Sequence, residues 1–559
     1  MPVLQFKGKT AIECYHHTVS HHTLEFDAAL SVLGKGEKLG LDGNLIIEGD
    51  NLIALKALLP THAGRIKCIY IDPPYNTGNE GWVYNDNLTQ PQFKEWIGQT
   101  VGKEGEDATR HDKWCCMMYP RLQLLKELLR DDGAIFVSIG DDELAHLRML
   151  MEEVFGPENF IATIVWRNST GPKQSKHLSM SHDYILCFAR KASEWNRNLL
   201  PRTADQEADY TNPDNDPRGP WRSGGLDARN YYSKGRYSIT CPGGRVIKGP
   251  PGGSYWRMPE ETLWEMDADG RIWWGEDGNN VPRIKRFLSE VQEGLIPQTV
   301  WDYDDVGHTQ EAKQEYLQIL SGMEVFTTPK PVALIKRILQ IATSADDLVL
   351  DSFAGSGTTA HAVLEINKDD GGRRKFILVQ IPYDTKDHEK EKLNICRMIT
   401  AERTKRVIEG YAYTKRGARG KTSREKVAGL GGSFTYARVG KPLFGEYRDW
   451  GKQLPAYEEL AKYIFYTETS RDFERKMMNE KSGKIGEHHG TSYYLLYTPD
   501  GQADRRLDME WLKGLDKTEK NRNVVVYCEK IWVHRDDLAK FEQATRRTVR
   551  PMIVPFNLK

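Results

Sequence analysis

The sequence lacks any apolar run long enough to cross a bilayer, and Met1 is not followed by a signal peptide. It also lacks a CxxC pair. Its eight cysteines are scattered over 559 residues, and the adjacent Cys115 and Cys116 cannot easily bridge each other. Membrane-embedded and disulfide-scaffold classes are set aside on these grounds, and a reducing cytoplasm is the expected setting. Neither sign of charge dominates: the formal net charge is −1, so nothing global advertises a polyanionic partner. No convincing nuclease constellation is present. The stretch "GARGKTS" (417–423) ends like a Walker A motif, but its leading Gly417 is too close to Lys421 and no strand precedes it, so a P-loop is rejected.

What is present is a globular composition, 39% hydrophobic and 28% charged, in a chain long enough for two or three domains. "NLIIEGD" (44–50) and "RIKCIYID" (65–72) read as buried strands around the helix "NLIALKALL". "WCCMMYPRLQLLKELLRDDG" reads as an amphipathic helix ending at Gly133. A strand "AIFVSIGDDE", a helix "LAHLRMLMEEVFG" and a hairpin of "FIATIVWRN" with "HDYILCFAR" follow. From Asn168 to Met323 the periodicity disappears, while Trp, Gly, Pro and Arg are plentiful. This predicts an insert of short strands and loops, either a plain scaffold or a surface whose arginines and aromatics suit phosphates, base edges and stacking. The alternation then resumes with "PKPVALIKRILQIAT", "DDLVLDSF", "GSGTTAHAVLEIN" and "RRKFILVQIP". The expected class is a doubly wound α/β sheet built from both sides of the insert, with a small C-terminal α+β domain. Between Glu402 and Lys426 nine Lys or Arg face three acids. That run is either a solvated helix and loop or a phosphate-contacting patch.

Two stretches carry chemistry. In "IYIDPPYNTGN" (69–79) a buried strand ends in an acid, two prolines and an aromatic. One proline would suffice to end a strand. Asp72-Pro73-Pro74-Tyr75 therefore reads as a rigid carrier for a carboxylate and a ring, at the strand end where open α/β sheets bind ligands. The plainer alternative makes Asp72 a helix or turn cap and Tyr75 a packing aromatic. In "LVLDSFAGSGTTAHA" strand, glycine turn and helix follow at once. Gly355 and Gly357 permit close approach of a ligand, and the helix start offers unpaired N–H groups. The spacing Gly355-Ser356-Gly357-Thr358-Thr359-Ala360 also fits a dinucleotide fingerprint, but that reading wants an acid closing the next strand, where Gln380 stands. Asp50 closes an earlier strand and could cap the helix beginning at Asn51. His16, His17, His21 and His22 have helical spacing that could serve a metal, or simply belong to a fraying N-terminal helix.

Asp351, Phe353, Ala354, Gly355, Ser356, Gly357 and Thr358 together resemble the cofactor motif of S-adenosylmethionine-dependent methyltransferases. Asp72-Pro73-Pro74-Tyr75 resembles the catalytic tetrapeptide of amino-methylating DNA methyltransferases. Their order is similar to that of the β class, in which the catalytic half precedes the cofactor half. "IIEGDNLIAL", "TPKPVALIKRIL" and the large insert match that layout. The wider pattern, including "GRIWWGEDGNNVPRIKRFL", resembles the modification subunits of type III restriction–modification systems over most of residues 40–385. The resemblance implies an N-terminal arm (1–40), a catalytic half (41–167), an inserted target-recognition region (168–323) and a cofactor-binding half (324–400). A basic helix and linker (401–429) and a C-terminal α+β domain (430–559) complete it. It further implies methyl transfer from S-adenosylmethionine to the N6 amine of a flipped adenine in double-stranded DNA. Asp72 and the Pro73 carbonyl would hold the amine, and Tyr75 would stack on the base. Asp50 would lie near the cofactor's adenine, while Gln380 departs from the acid usual at the ribose. N4 of cytosine is the alternative target, and a non-catalytic recognition subunit the alternative class. Expected partners are DNA, a second copy of the chain and a restriction subunit carrying motor and nuclease, with no membrane and no metal.

Overall fold

The computed structural model describes residues 3–77, 110–171, 177–203, 207–291, 294–321, 328–383, 385–416, 422–443, 455–499 and 505–554. Its centre is a ten-stranded sheet. The strands in chain order are β1 (His22–Val32), β2 (Leu45–Glu48), β3 (Ile66–Ile71), β4 (Leu129–Ile139), β5 (Phe160–Arg167), β6 (His182–Ala189), β7 (Val300–Trp301), β8 (Leu348–Asp351), β9 (Lys375–Gln380) and β10 (Phe434–Pro442). Across the sheet they run β1-β10-β2-β9-β8-β3-β4-β6-β5-β7. The six strands from β10 to β4 are parallel neighbours, and the rim strands include antiparallel pairs. Parallel strands covered on both faces read as unbroken apolar runs rather than alternating ones, and every residue of β3 is buried. Helices α1 (Asn51–His62), α2 (Arg110–Leu128), α3 (Asp141–Phe155), α4 (Val332–Ala342) and α5 (Thr358–Asp370) connect and cover these strands.

The order has one consequence for the site. Strands β8 and β9 come late in the chain yet sit between β2 and β3. β8 is parallel to β3, with Val349 beside Cys68 and Leu350 beside Ile69. The loops leaving β3 at Asp72 and β8 at Ser352 therefore emerge side by side at the carboxyl edge of the sheet, the usual crevice of an open α/β fold.

The boundaries differ from those read in the sequence. The compact unit that separates from the rest is Leu199–Pro297, narrower than 168–323, because β6 and β7 pair into the main sheet. That unit has its own core of Leu226, Ile239, Cys241, Trp256, Leu263, Ile272 and Trp274, around a three-stranded sheet and a helix, Glu260–Ala268. The N-terminal arm contributes β1, and the region beyond Gly431 contributes β10; both are edge or near-edge strands paired across most of the chain length. Helix α2 stops at Leu128 rather than near Gly133, because Leu129 already pairs with Ile66 in the sheet.

The segment after α6 (Glu402–Glu409) is an antiparallel ribbon, Gly410–Arg416 with Thr422–Ala428, where a linker was expected; residues 417–421 of "GARGKTS" lie outside the described residues. Beyond β10, four strands (Lys484–His488, Thr491–Leu496, Asn523–Cys528, Thr548–Ile553) form a second sheet. Its helix α7 (Tyr457–Thr469) is tied to the main body by Tyr466, whose hydroxyl donates to Glu127 at 2.8 Å. No described helix is long and apolar enough to cross a membrane.

Candidate active site at the carboxyl edge of the sheet

Asp72 leaves β3 directly into Pro73 and Pro74. The Trp114 indole donates to the Pro74 carbonyl at 2.7 Å, anchoring the turn to α2. Tyr75 lies against Gly140, where an added Cβ would stand 3.0 Å from the ring, closer than ordinary van der Waals contact. Burial, and next the Asp72 charge, push the Tyr75 phenol far above its ordinary range, which keeps it a neutral ring. Asn76 has φ 58°, a left-handed conformation that asparagine tolerates better than most. Its amide donates to the fully buried Glu143, which also accepts from His111 Nδ1 at 2.7 Å and His146 Nδ1 at 2.8 Å. This network clamps the turn behind Tyr75 and has no short sequence signature.

The Asp72 carboxylate is divided. Oδ2 is 2.5 Å from Lys330 Nζ. Oδ1 is buried and has no hydrogen-bond partner among the described residues. A buried acceptor left unpaired is costly, so it marks a place where a donor is expected to arrive.

The glycine loop is held far more completely. Ala354 N donates to Val379 O at 3.1 Å, and Gly355 N to the Gln380 side-chain oxygen at 2.7 Å. Gln380 is thus turned onto the loop backbone. Thr400 Oγ1 donates to Gly355 O at 2.6 Å, and fully buried Arg403 donates to both Ser356 Oγ and Thr358 Oγ1 at 2.9 Å. Thr400 lies in a π-helical turn, Cys396–Ala401, that leads into α6. Gly357 has φ 78°, and a Cβ there would meet Thr400 O at 3.1 Å. Asp351 is buried, accepting from Thr359 Oγ1 at 2.5 Å and Phe353 N at 3.0 Å. Burial raises its carboxyl from an ordinary 3.8 to about 7, with the nearby Asp72 charge adding to the rise.

Asn51 joins the first turn of α1 to this loop, donating to Ser352 O at 2.8 Å while accepting from Arg121 Nε at 2.5 Å. Asp50 forms the cap that its sequence position allowed: Oδ1 accepts from Leu52 N at 2.8 Å, and Oδ2 pairs with Arg121 at 3.1 Å. The loop fits a ligand with polar groups, since Ser352 Oγ is buried without a partner among the described residues and the glycines leave the backbone open to approach.

The structure therefore brings Asp72, Pro73, Pro74 and Tyr75 to the same sheet edge as Asp351, Phe353, Ala354, Gly355, Ser356, Gly357, Thr358 and Gln380, with Asp50 at the neighbouring strand end. Sequence reasoning missed Lys330, Arg403, Thr400, Glu143 and Asn51. In "AERTKRVI" nothing sets Arg403 apart from Lys405 and Arg406. Of the four N-terminal histidines, His16 and His17 come together beside Glu127, their ring centroids 3.9 Å apart, while His21 and His22 turn elsewhere. His16 and His17 lie on a short helix, His21 packs on Tyr463 at 4.8 Å, and His22 bonds Gly440 O at 2.8 Å.

A family model described as a DNA methylase, of the N6/N4 methyltransferase kind, matches residues 66–391. The Mod subunit of the type III restriction-modification enzyme StyLTI from Salmonella typhimurium (strain LT2) is 37% identical over 350 residues, 60% of this chain and 52% of that one. The EcoP15I Mod subunit from Escherichia coli is 31% identical, over 62% of this chain and 59% of that one. The type II methyltransferase M.KpnI from Klebsiella pneumoniae is 32% identical, over 61% of this chain and 81% of that one. The chain thus spans 52% to 59% of the length of these two Mod subunits.

Proposed function

Because this chain belongs to the N6/N4 DNA methylase family, we propose that it transfers the methyl group of S-adenosylmethionine to the N6 amine of an adenine turned out of double-stranded DNA. The observation that carries the reading is the unpaired Asp72 Oδ1, buried beside a glycine loop whose backbone is held by Gln380 and Thr400. An exocyclic amine shares its lone pair with the ring and is a poor nucleophile. Accepting its two N–H bonds, one at Asp72 and one at the Pro73 carbonyl, draws the nitrogen toward sp³ and frees that pair. The fixed φ of proline holds the carbonyl in place. Tyr75, neutral and half-buried, stacks on the extruded ring; leaving the duplex is required for any chemistry on the amine.

The loop residues 352–358 are the ones that would hold the cofactor, which when bound supplies a methyl on a sulfonium and needs alignment more than activation. The amine proton would pass to Asp72 or to solvent after the methyl has arrived, so Asp72 need not be a strong base. An aspartate at position 72 favours adenine, and N4 of cytosine is the second reading, since an amine there presents the same two donors.

The Mod relatives extend the proposal to the modification role of a type III system, working in the cytoplasm with a restriction subunit and a second copy of the chain. Sequence recognition is assigned to the unit Leu199–Pro297. Exchanging that unit for a relative's should change the methylated sequence, and an unchanged site would place recognition elsewhere. The activity itself is tested by mapping modified bases in the genome of a methylation-free host expressing the chain.

A further inference from the structure

The functional reading leaves one residue unabsorbed. Lys330 lies in "TPKP", between Pro329 and Pro331, just ahead of α4. Two prolines restrict the backbone on either side and so set the direction in which the side chain leaves it. It points into the catalytic turn: Nζ is 2.5 Å from Asp72 Oδ2 and 5.0 Å from the centre of the Tyr75 ring. Its side chain is 13% exposed, so the ammonium is largely withdrawn from water.

Both contacts lie where a target base would come. The ammonium is held by Asp72 Oδ2, next to the oxygen left for the amine, and it lies over the Tyr75 face by cation–π attraction, where the base would stack. A purely structural ion pair would be expected to pair the buried oxygen of the carboxylate. This one leaves Oδ1 unpaired and places the charge on the face that a base must use.

We propose that in the base-free enzyme Lys330, held by Asp72 Oδ2, covers the face of Tyr75 on which the target base stacks, and that the incoming base must displace it. The inference rests on Asp72 being the amine-binding carboxylate. Its consequence is selective. Moving the ammonium off the ring draws it away from its charge pair with Asp72 Oδ2, so displacement requires a ring that stacks fully on Tyr75 and a duplex held in register to deliver it. A non-target base brings less of either. Lys330 is therefore a specificity residue, and the lysine in its docked position lowers the fraction of enzyme competent to accept a base, which weakens apparent affinity in proportion.

The test replaces the target base, in a duplex carrying the mapped methylation site, with fluorescent 2-aminopurine, at saturating enzyme with cofactor bound. Wild type and Lys330→Arg, which keeps the charge, should give similar extrusion signals. Lys330→Met, which keeps the stem and removes the charge, should give a signal several-fold higher. Its KM for DNA should fall by roughly tenfold, and its methylation of sites differing by one base should rise relative to the proper site. An unchanged or weaker signal with a fall in kcat would overturn the proposal and make Lys330 a group that acts on the bound base.

Should Lys330→Met lose cofactor affinity and so report misfolding, wild type answers the question through amine acylation read by mass spectrometry. Lys330 should be protected in the free enzyme and reactive when a duplex with an extruded base is bound. Equal protection in both states would also overturn the proposal. Failure of the functional reading is distinguishable, since wild type would then show no methylation to be lost in Asp72→Ala.

Discussion

The two loops at the sheet edge are built on opposite plans. The glycine loop after β8 is over-determined: Gln380, Thr400, Arg403 and Asn51 each bind its backbone or hydroxyls, and little is left to adjust when a ligand arrives. The Asp72–Tyr75 turn after β3 is rigid in its backbone but unfinished in its hydrogen bonding, with Oδ1 unpaired and Oδ2 on a movable lysine. A site that must bind one ligand in a single pose and accept a second from a stacked duplex benefits from this division. The loop is preorganised, while the turn keeps an acceptor in reserve.

The contrast can be broken most severely at Gly357. In Gly357→Asp a Cβ would stand 3.1 Å from the Thr400 carbonyl, in a backbone conformation (φ 78°) that side chains disfavour. Cofactor affinity, measured by calorimetry, should fall by two orders of magnitude or more, by analogy with strain of roughly 1–3 kcal/mol added to steric loss. Undiminished affinity would show that the loop is not the cofactor cradle.

A smaller break is expected at Arg403. Arg403→Met keeps the packing volume but releases Ser356 and Thr358, a loss of charged hydrogen bonds worth about 1.5–3 kcal/mol in typical cases. The cofactor KM should rise by about tenfold with DNA binding unchanged. A fall in both affinities together would mean that the arginine supports the fold at large.

A third break concerns pH and is read in stability rather than in affinity. Asp351 titrates near 3.8 when unfolded and near 7 when buried. Between these values the native state binds more protons than the unfolded state, so this group's contribution favours folding at low pH and is lost as pH rises through 7. Asp351→Asn should remove a slope approaching 1.4 kcal/mol per pH unit from denaturant-derived stability over that window. The buried histidines act in the opposite direction: burial holds His16 and His62 near 4, so their contribution is lost as pH falls from 6.5. Identical slopes in wild type and variant would show that Asp351 is not protonated in the native state.

Much of this was legible because the central strands are buried on both faces and so stand out as continuous apolar runs. The chemistry also sits immediately after two of them, in Asp72-Pro73-Pro74-Tyr75 and in the glycine loop. Strands β1 and β10 were not assigned to this sheet, since their pairing joins His22–Val32 to Phe434–Pro442 and such distant partners leave no local period. The charged stretch 410–428 reads as loop by composition, yet its backbone satisfies itself as a ribbon while its second strand, Thr422–Ala428, lies exposed. Gln380 was legible as a departure from pattern, but only its hydrogen bond to Gly355 shows the use that its neutral amide serves. Lys330 and Arg403 act across long sequence separations, on Asp72 and Ser356 respectively, and nothing in their neighbours announces those partners.

The central claim is that Asp72 and its turn direct a methyl group onto a base amine in DNA. It is tested most directly by expressing wild type and Asp72→Ala in a host without DNA methylation and sequencing the genomes by a single-molecule method that detects modified bases. The account predicts N6-methyladenine at one short motif with wild type, and its loss by on the order of a thousandfold with Asp72→Ala while the purified variant still binds S-adenosylmethionine. Equal modification in the variant, or none in wild type with its cofactor bound and its partner subunit supplied, would contradict it.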